Sequence, residues 1–126
     1  MVKVGDIMDR ELVTLEGEAT AQEAGVILAR GDVDCILVVE EGSPRGLITQ
    51  RDLVRTVVSE DRTGSDVELR SIMSKPLITI EVWKDVRSAT DLLTQFNIRR
   101  ILVEDHGRIV GLVSQKNIVD AIISNN

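Results

Sequence analysis

Short aliphatic runs, polar turns and apolar stripes of helical period follow one another in the same order twice along this chain of 126 residues. Ile36-Leu37-Val38-Val39 and Ile101-Leu102-Val103 are continuous aliphatic runs with polar flanks, the pattern of buried strands. Polar turns containing glycine follow, Glu40 to Ser43 and Asp105 to Arg108, and lead into second β-like runs, Arg45 to Ile48 and Ile109 to Val113. Two β-hairpins are expected. Upstream of each hairpin an N-capping residue opens an amphipathic helix: Thr20 before Ala21, Ala24, Ile27 and Leu28, and Asp85 before Val86, Ala89, Leu92, Leu93 and Phe96. Shorter strands, Leu12 to Leu15 and Leu77 to Ile80, precede those helices, and helical turns at Val4 to Met8 and Val67 to Met73 precede the strands. A closing helix ends each half, with Leu53, Val54, Val57 and Val58, or Ile118, Val119, Ile122 and Ile123, on one face.

The two halves are one unit written twice. Ile7-Met8 returns as Ile72-Met73, Val13-Thr14 as Ile78-Thr79, Ile36-Leu37-Val38 as Ile101-Leu102-Val103 and Gly46-Leu47 as Gly111-Leu112, each 65 positions later. A constant offset without gaps marks tandem structural units. The reading assigns residues 1–60 to the first unit, 61–66 to a polar linker within the loop around Gly64, and 67–126 to the second. Units of this size bury their apolar faces poorly alone. Two copies related by a pseudo-two-fold, forming one composite domain of the α/β (α+β) class, are therefore expected.

Composition narrows the function. A net charge of −6 disfavours nucleic-acid binding, which needs clustered Lys and Arg on the phosphates. Trp83 and Phe96 are the sole aromatics, so platforms for base stacking are lacking. One cysteine, Cys35 in an apolar run, fits a reducing, cytoplasmic setting and a buried role. No apolar run approaches the ~20 residues that span a bilayer, and the N-terminus has no signal-peptide core. The lone histidine, His106, falls in a hairpin turn, which leaves no His-based metal site and no catalytic triad. No nucleophile stands beside an activating base, so no enzyme is read.

Chemistry concentrates at Gly46-Leu47-Ile48-Thr49-Gln50-Arg51-Asp52, where a strand passes into a helix. Thr49 and Asp52 have N-cap and N3 spacing. That serves a capping box, and it also places a hydroxyl and a carboxylate beside the free N–H groups of a helix start, where a polar ligand can dock.

This arrangement resembles a tandem pair of cystathionine-β-synthase (CBS) domains, a Bateman module, over nearly the whole chain. The pattern Gly-h-x-(Thr/Ser)-x-x-Asp is complete at Gly46, Thr49 and Asp52; Gly111, Ser114 and Asn117 repeat it with Asn for Asp. The resemblance implies two β-α-β-β-α units packed sheet to sheet and an adenosine-containing ligand, AMP, ADP or ATP, in a cleft between them. It gives the ribose to Asp52 and Thr49, the phosphates to Arg99 and Arg100, and the adenine to Met8, Leu12, Val13 and Val33 with backbone groups of Val13 and Leu47. Asp34 and Cys35 occupy the positions matching Arg99 and Arg100. A second cleft, with Ser114, Asn117, Met73 and Ile78 beside Asp34, is expected to be empty, weak or altered in ligand. One nucleotide per chain follows.

The functional expectation is a stand-alone regulatory module that senses an adenine nucleotide and signals to a partner protein. It forms a homodimer and uses no catalytic cofactor and no metal. S-adenosylmethionine or NAD as ligand, and a ligand-free dimerisation or protein-interaction module, are the alternatives.

Overall fold

The run at Ile36 lies at the centre of a three-stranded sheet. In the computed structural model, which describes residues 2–58, 60–75 and 77–124, strand β2 (Cys35–Glu40) pairs in parallel with β1 (Thr14–Glu16) and antiparallel with β3 (Ser43–Thr49). A parallel pair needs a crossover, and helix α2 (Ala21–Ala29) supplies it, capped by Thr20 Oγ1, which accepts from Glu23 N at 3.1 Å. The hairpin turn has φ of 52° at Glu41 and 77° at Gly42, the pair of left-handed residues that a two-residue turn matched to strand twist requires. His106 and Gly107 repeat it at 51° and 81°.

The second sheet copies the first. Strand β5 (Arg100–Asp105) lies between β4 (Thr79–Glu81), parallel, and β6 (Arg108–Ser114), antiparallel, and α4 (Val86–Phe96) makes the crossover. Both hairpins carry an irregularity at matching places, between Val38 and Val39 and between Val103 and Glu104. β1 and β4 lie two residues beyond the expected starts at Leu12 and Leu77, because Thr14 and Thr79 are the first to register with Leu37 and Leu102.

The chain divides into two compact units whose borders differ from those of the repeats. Val13–Leu77 forms a continuous unit; the segment through Leu12 joins the chain from Ile78 onward in a split unit. The leading segment of each repeat thus belongs with the strands of the other repeat. The reason lies in the sheet edges. β3 exposes the outward N–H and C=O of Leu47, and Ser74 takes both: Leu47 N donates to Ser74 O at 3.0 Å and Ser74 N to Leu47 O at 2.8 Å. Asp9 and Leu112 form the matching bridge at 2.8 and 2.9 Å.

Each unit has its own core. In the continuous unit Ala24, Leu28, Ile36, Val38, Ile48, Val67 and Leu69 are buried together; in the split unit Val4, Ala89, Leu93, Ile101, Val103 and Val113 are. The expected turn at Val4 to Met8 is helix α1 (Val4–Ile7), whereas 67–73 holds a single 3-10 turn, Leu69–Ser71. Another, Gly64–Asp66, lies in the polar stretch read as a loop.

The closing helices depart from expectation. After Thr49 comes α3 (Gln50–Leu53), which continues as a π turn at Val54–Val58; its twin α5 (Gln115–Ser124) is regular. The apolar stripes are also wider than the cores they serve. Leu53, Val57 and Ile118 pack inward, while Val54, Val58, Val119, Ile122 and Ile123 are exposed, up to 71% at Val58.

Candidate functional site

Thr49 ends β3 with extended backbone and caps α3. The capping box is complete: Asp52 N donates to Thr49 Oγ1 at 3.3 Å, and Thr49 N donates to Asp52 Oδ2 at 2.8 Å. The Thr49 hydroxyl also donates to Oδ2, at 3.1 Å. A third donor comes from 22 residues away, the Ser74 hydroxyl on Asp52 Oδ1 at 2.8 Å. A carboxylate has about four acceptor positions, so Oδ2 is filled and Oδ1 keeps one open beside the Ser74 hydroxyl. The sugar-binding candidate is therefore also a structural residue, oriented before any ligand arrives.

Gly46 admits the segment that carries Ser74. A Cβ there would stand 2.7 Å from Met73 Cγ and 2.8 Å from its Sδ. The glycine of the motif is thus required by close approach across β3 rather than by an unusual backbone angle. Gly111 is tighter, with an added Cβ 2.6 Å from Met8 Sδ and 2.8 Å from the carbonyl oxygen of Asp9.

These contacts regroup the expected site residues. Met73, assigned to the second cleft by the repeat, lies on Gly46 in the unit of Thr49 and Asp52; Met8, assigned to the first, packs on Gly111 in the unit of Ser114 and Asn117. The exchange of leading segments is the cause. Leu47 was expected to offer backbone groups to adenine, but Ser74 engages both of them. The carbonyl of Val13 accepts from Leu37 N at 2.9 Å, and its side chain packs on the core of the continuous unit, which also holds partly buried Val33 and exposed Asp34. Leu12 and Ile78 belong to the split unit, where the Ile78 carbonyl accepts from Leu102 N at 3.0 Å. Cys35 is buried, as expected of it.

Arg99 and Arg100 also belong to the split unit. No single unit brings them together with Thr49 and Asp52. Arg100 opens β5 as the register partner of Ser114, and the carbonyl of the exposed Arg99 accepts from Gln115 N at 3.1 Å, closing the start of α5. Ser114 and Asn117 reproduce the capping box: Asn117 Oδ1 accepts from Ser114 N at 2.7 Å and from Ser114 Oγ at 2.9 Å, and Asn117 N donates to Ser114 Oγ at 3.2 Å. Asn in place of Asp thus preserves the cap.

Sequence reasoning missed Ser74 and its counterpart Asp9. The 65-residue offset aligns them, and it shows that the acidic residue changes places: Asp52 goes with Ser74, Asn117 with Asp9. Elsewhere, His106 is 94% exposed and contacts Asp105 Oδ1 at 2.7 Å, and the described residues contain no cluster of three or more metal-ligating side chains. Among them, too, no helix is long and apolar enough to cross a membrane.

The chain matches the CBS domain family twice, over residues 4–59 and 69–124. It is 35% identical over 120 residues to an uncharacterised Methanopyrus kandleri protein, MK0525, covering 94% of this chain and 61% of that one. It is 29% identical over 125 residues to the CBS domain-containing protein YhcV of Bacillus subtilis, covering 99% and 89%. The chain thus spans less than two thirds of the first relative and most of the second. Among solved structures, the CBS domain pair of protein MJ0100, in complex with 5′-methylthioadenosine and S-adenosyl-L-methionine, superimposes with a TM-score of 0.85 over 100% of this chain and 99% of that one, at 23% identity. Two matched repeats, two copied sheets and two capped Gly-h-x-(Thr/Ser) corners make this chain a member of the CBS domain family, built as a CBS pair.

Proposed function

We propose that the pair is a non-enzymatic regulatory module that binds an adenosine-containing ligand, with AMP, ADP or ATP as the first candidates. The observation that carries this is the Asp52 carboxylate, fixed by three protein donors yet keeping an open acceptor position on Oδ1. A carboxylate of that kind accepts from the hydroxyls of a ribose, and the Ser74 oxygen, while donating to Oδ1, keeps lone pairs that accept from the same sugar. Arg99 and Arg100, in the split unit, carry guanidinium forks of the kind that match phosphate oxygens. The adenosine moiety common to both ligands of the MJ0100 pair supports the choice of class. Met73, which packs on Gly46, is the methionine of the continuous unit beside the motif that ends at Asp52. Signalling follows from differential affinity, because a ligand shifts a conformational equilibrium only as far as it binds one state better.

Titration calorimetry against AMP, ADP, ATP, S-adenosylmethionine and NAD tests the reading. Saturable binding of at least one, weakened at least about tenfold by Asp52→Asn, is expected; a tenfold change corresponds to ~1.4 kcal/mol. No heat from any of the five overturns it.

A second reading, a ligand-independent self-associating module, is favoured by the exposed apolar residues on the helix pair of each unit: Val26, Val54 and Val58 in one, Phe96, Val119, Ile122 and Ile123 in the other. Such surface is what a homodimer covers. Sedimentation at micromolar concentration is expected to show a dimer that Ile122→Glu dissociates. A monomer throughout contradicts it.

A further inference from the structure

We propose that the leading segments of the two repeats, residues 2–9 and 67–74, carry size and charge at three positions that assign each to its own unit, and that this assignment brings a hydroxyl rather than a carboxylate to Asp52. The part concerning Asp52 rests on the ribose reading; the assignment itself does not.

Both segments make the same backbone contacts. Gly5 N donates to Val82 O at 3.0 Å, as Arg70 N does to Gly17 O at 2.9 Å. Lys3 bridges Asp85 as Glu68 bridges Thr20, and Asp9 bridges Leu112 as Ser74 bridges Leu47. Corresponding residues lie 65 positions apart throughout. The backbone pattern alone therefore does not distinguish the segments, and the side chains must.

The middle position discriminates by size. In the split unit a glycine faces a valine: a Cβ added at Gly5 would stand 2.7 Å from Val82 Cγ2. In the continuous unit the sizes are exchanged, and Arg70 faces Gly17. A Cβ at Gly17 would overlap Glu40 Oε1, so this glycine leaves room for the Glu40 carboxylate, 3.4 Å from Arg70 Nε. Glu18 and Glu68 each approach the same guanidinium to 3.8 Å. Arg70 laid on Val82 would clash, and Gly5 laid on Gly17 would take Arg70 away from Glu18 and Glu40.

The other two positions discriminate by charge. Lys3 lies against Asp85, whose carboxyl is held below its usual range chiefly by Ser88 N and in smaller part by the charge of Lys3. Glu68 lies against the neutral Thr20; moved onto Asp85 it would set two carboxylates side by side. Ser74 donates to Asp52 Oδ1 at 2.8 Å, where Asp9 in the same register would bring a second carboxylate. All three positions disfavour the opposite assignment.

The test is amide hydrogen exchange of the 15N-labelled full chain, read at Leu112 N, which donates to Asp9 O, and at Leu47 N, which donates to Ser74 O. Lys3→Glu with Gly5→Arg gives the first segment the residues of the second at two positions. Exchange at Leu112 is expected to quicken at least about tenfold while Leu47 stays as in the parent. Adding Asp85→Thr and Val82→Gly, the residues that the continuous unit holds there, is expected to return Leu112 toward the parent rate. Should the double variant unfold, seen as loss of protection at both amides, Lys3→Glu alone and its combination with Asp85→Thr make the same comparison. Leu112 indifferent to these changes, or quickened with no recovery when the matching residues are added, overturns the assignment. Ser74→Asp is expected to weaken adenosine binding at least about tenfold while Leu112 keeps its protection. Unchanged adenosine affinity in that variant removes the claim about Asp52 alone. Absence of adenosine binding to the parent removes the ribose reading, and the exchange pattern then still decides the assignment.

Discussion

Ser74 donates its hydroxyl to Asp52 Oδ1 at 2.8 Å, joining the residue that leads the second repeat to the residue that closes the motif of the first. The bond locks one carboxylate oxygen while the capping box locks the other, so the same half-buried side chain caps a helix and holds the segment that covers the edge of β3. A double-mutant cycle of Ser74→Ala and Asp52→Ala in urea is expected to return a coupling of about 0.5–1.5 kcal/mol. Strict additivity would mean that the bond contributes nothing in solution.

The two capping boxes separate fold from ligand at Asp52. Asp52→Ala is expected to cost about 0.5–2 kcal/mol by removing the acceptor for Thr49 N. Asp52→Asn is expected to cost less, because Asn117 already performs the same capping at 2.7 Å. Unfolding curves for the two variants check the order, and a reversed order would remove the cap from the account.

The glycines of the motif differ in what they tolerate. Gly46→Ala meets only the Met73 side chain, so Met73→Ala is expected to recover part of the stability it loses. Gly111→Ala meets the Asp9 carbonyl oxygen as well as Met8, so Met8→Ala is expected to recover a smaller share. Losses of about 1–3 kcal/mol suit overpacking of this kind. Equal rescue at both positions would contradict the geometry.

Much of this was legible beforehand, and its limits are physical. The caps at Thr20, Thr49 and Asp85, the turns at Glu41-Gly42 and His106-Gly107, and the helix Val86–Phe96 follow from local chemistry, and each stands where the pattern put it. Which sheet edge a leading segment covers is a long-range choice that hydrophobic periodicity does not encode. Met73 therefore packs on Gly46 and Met8 on Gly111, a pairing that the repeat alone does not reveal, and Ser74 and Asp9 were passed over. The outward Val54 and Val58 show the same limit in another form, since an apolar stripe records what can be buried and not how much one chain buries.

Acid should act at Asp85. Its carboxyl is held below the usual range, chiefly because Ser88 N donates to it at 2.9 Å, with smaller help from the Ser88 hydroxyl and Lys3. A depressed folded-state pKa gives stability that is present above the ordinary value of 3.8 and lost as pH falls through the lower one. The gap in Tm between the parent and Asp85→Ala is thus expected to be full at neutral pH and to close on acidification below about pH 4. A gap independent of pH would show that Ser88 does not hold the ionised form.

The most direct measurement for the central claim is the affinity of AMP for the parent chain and for Asp52→Asn, two proteins with the same capped fold and one carboxylate between them. The account predicts saturable binding to the parent and a loss of at least about tenfold in the variant, with 2′-deoxy-AMP weakened on the parent and indifferent to the substitution. Equal AMP affinities for the two proteins would contradict it.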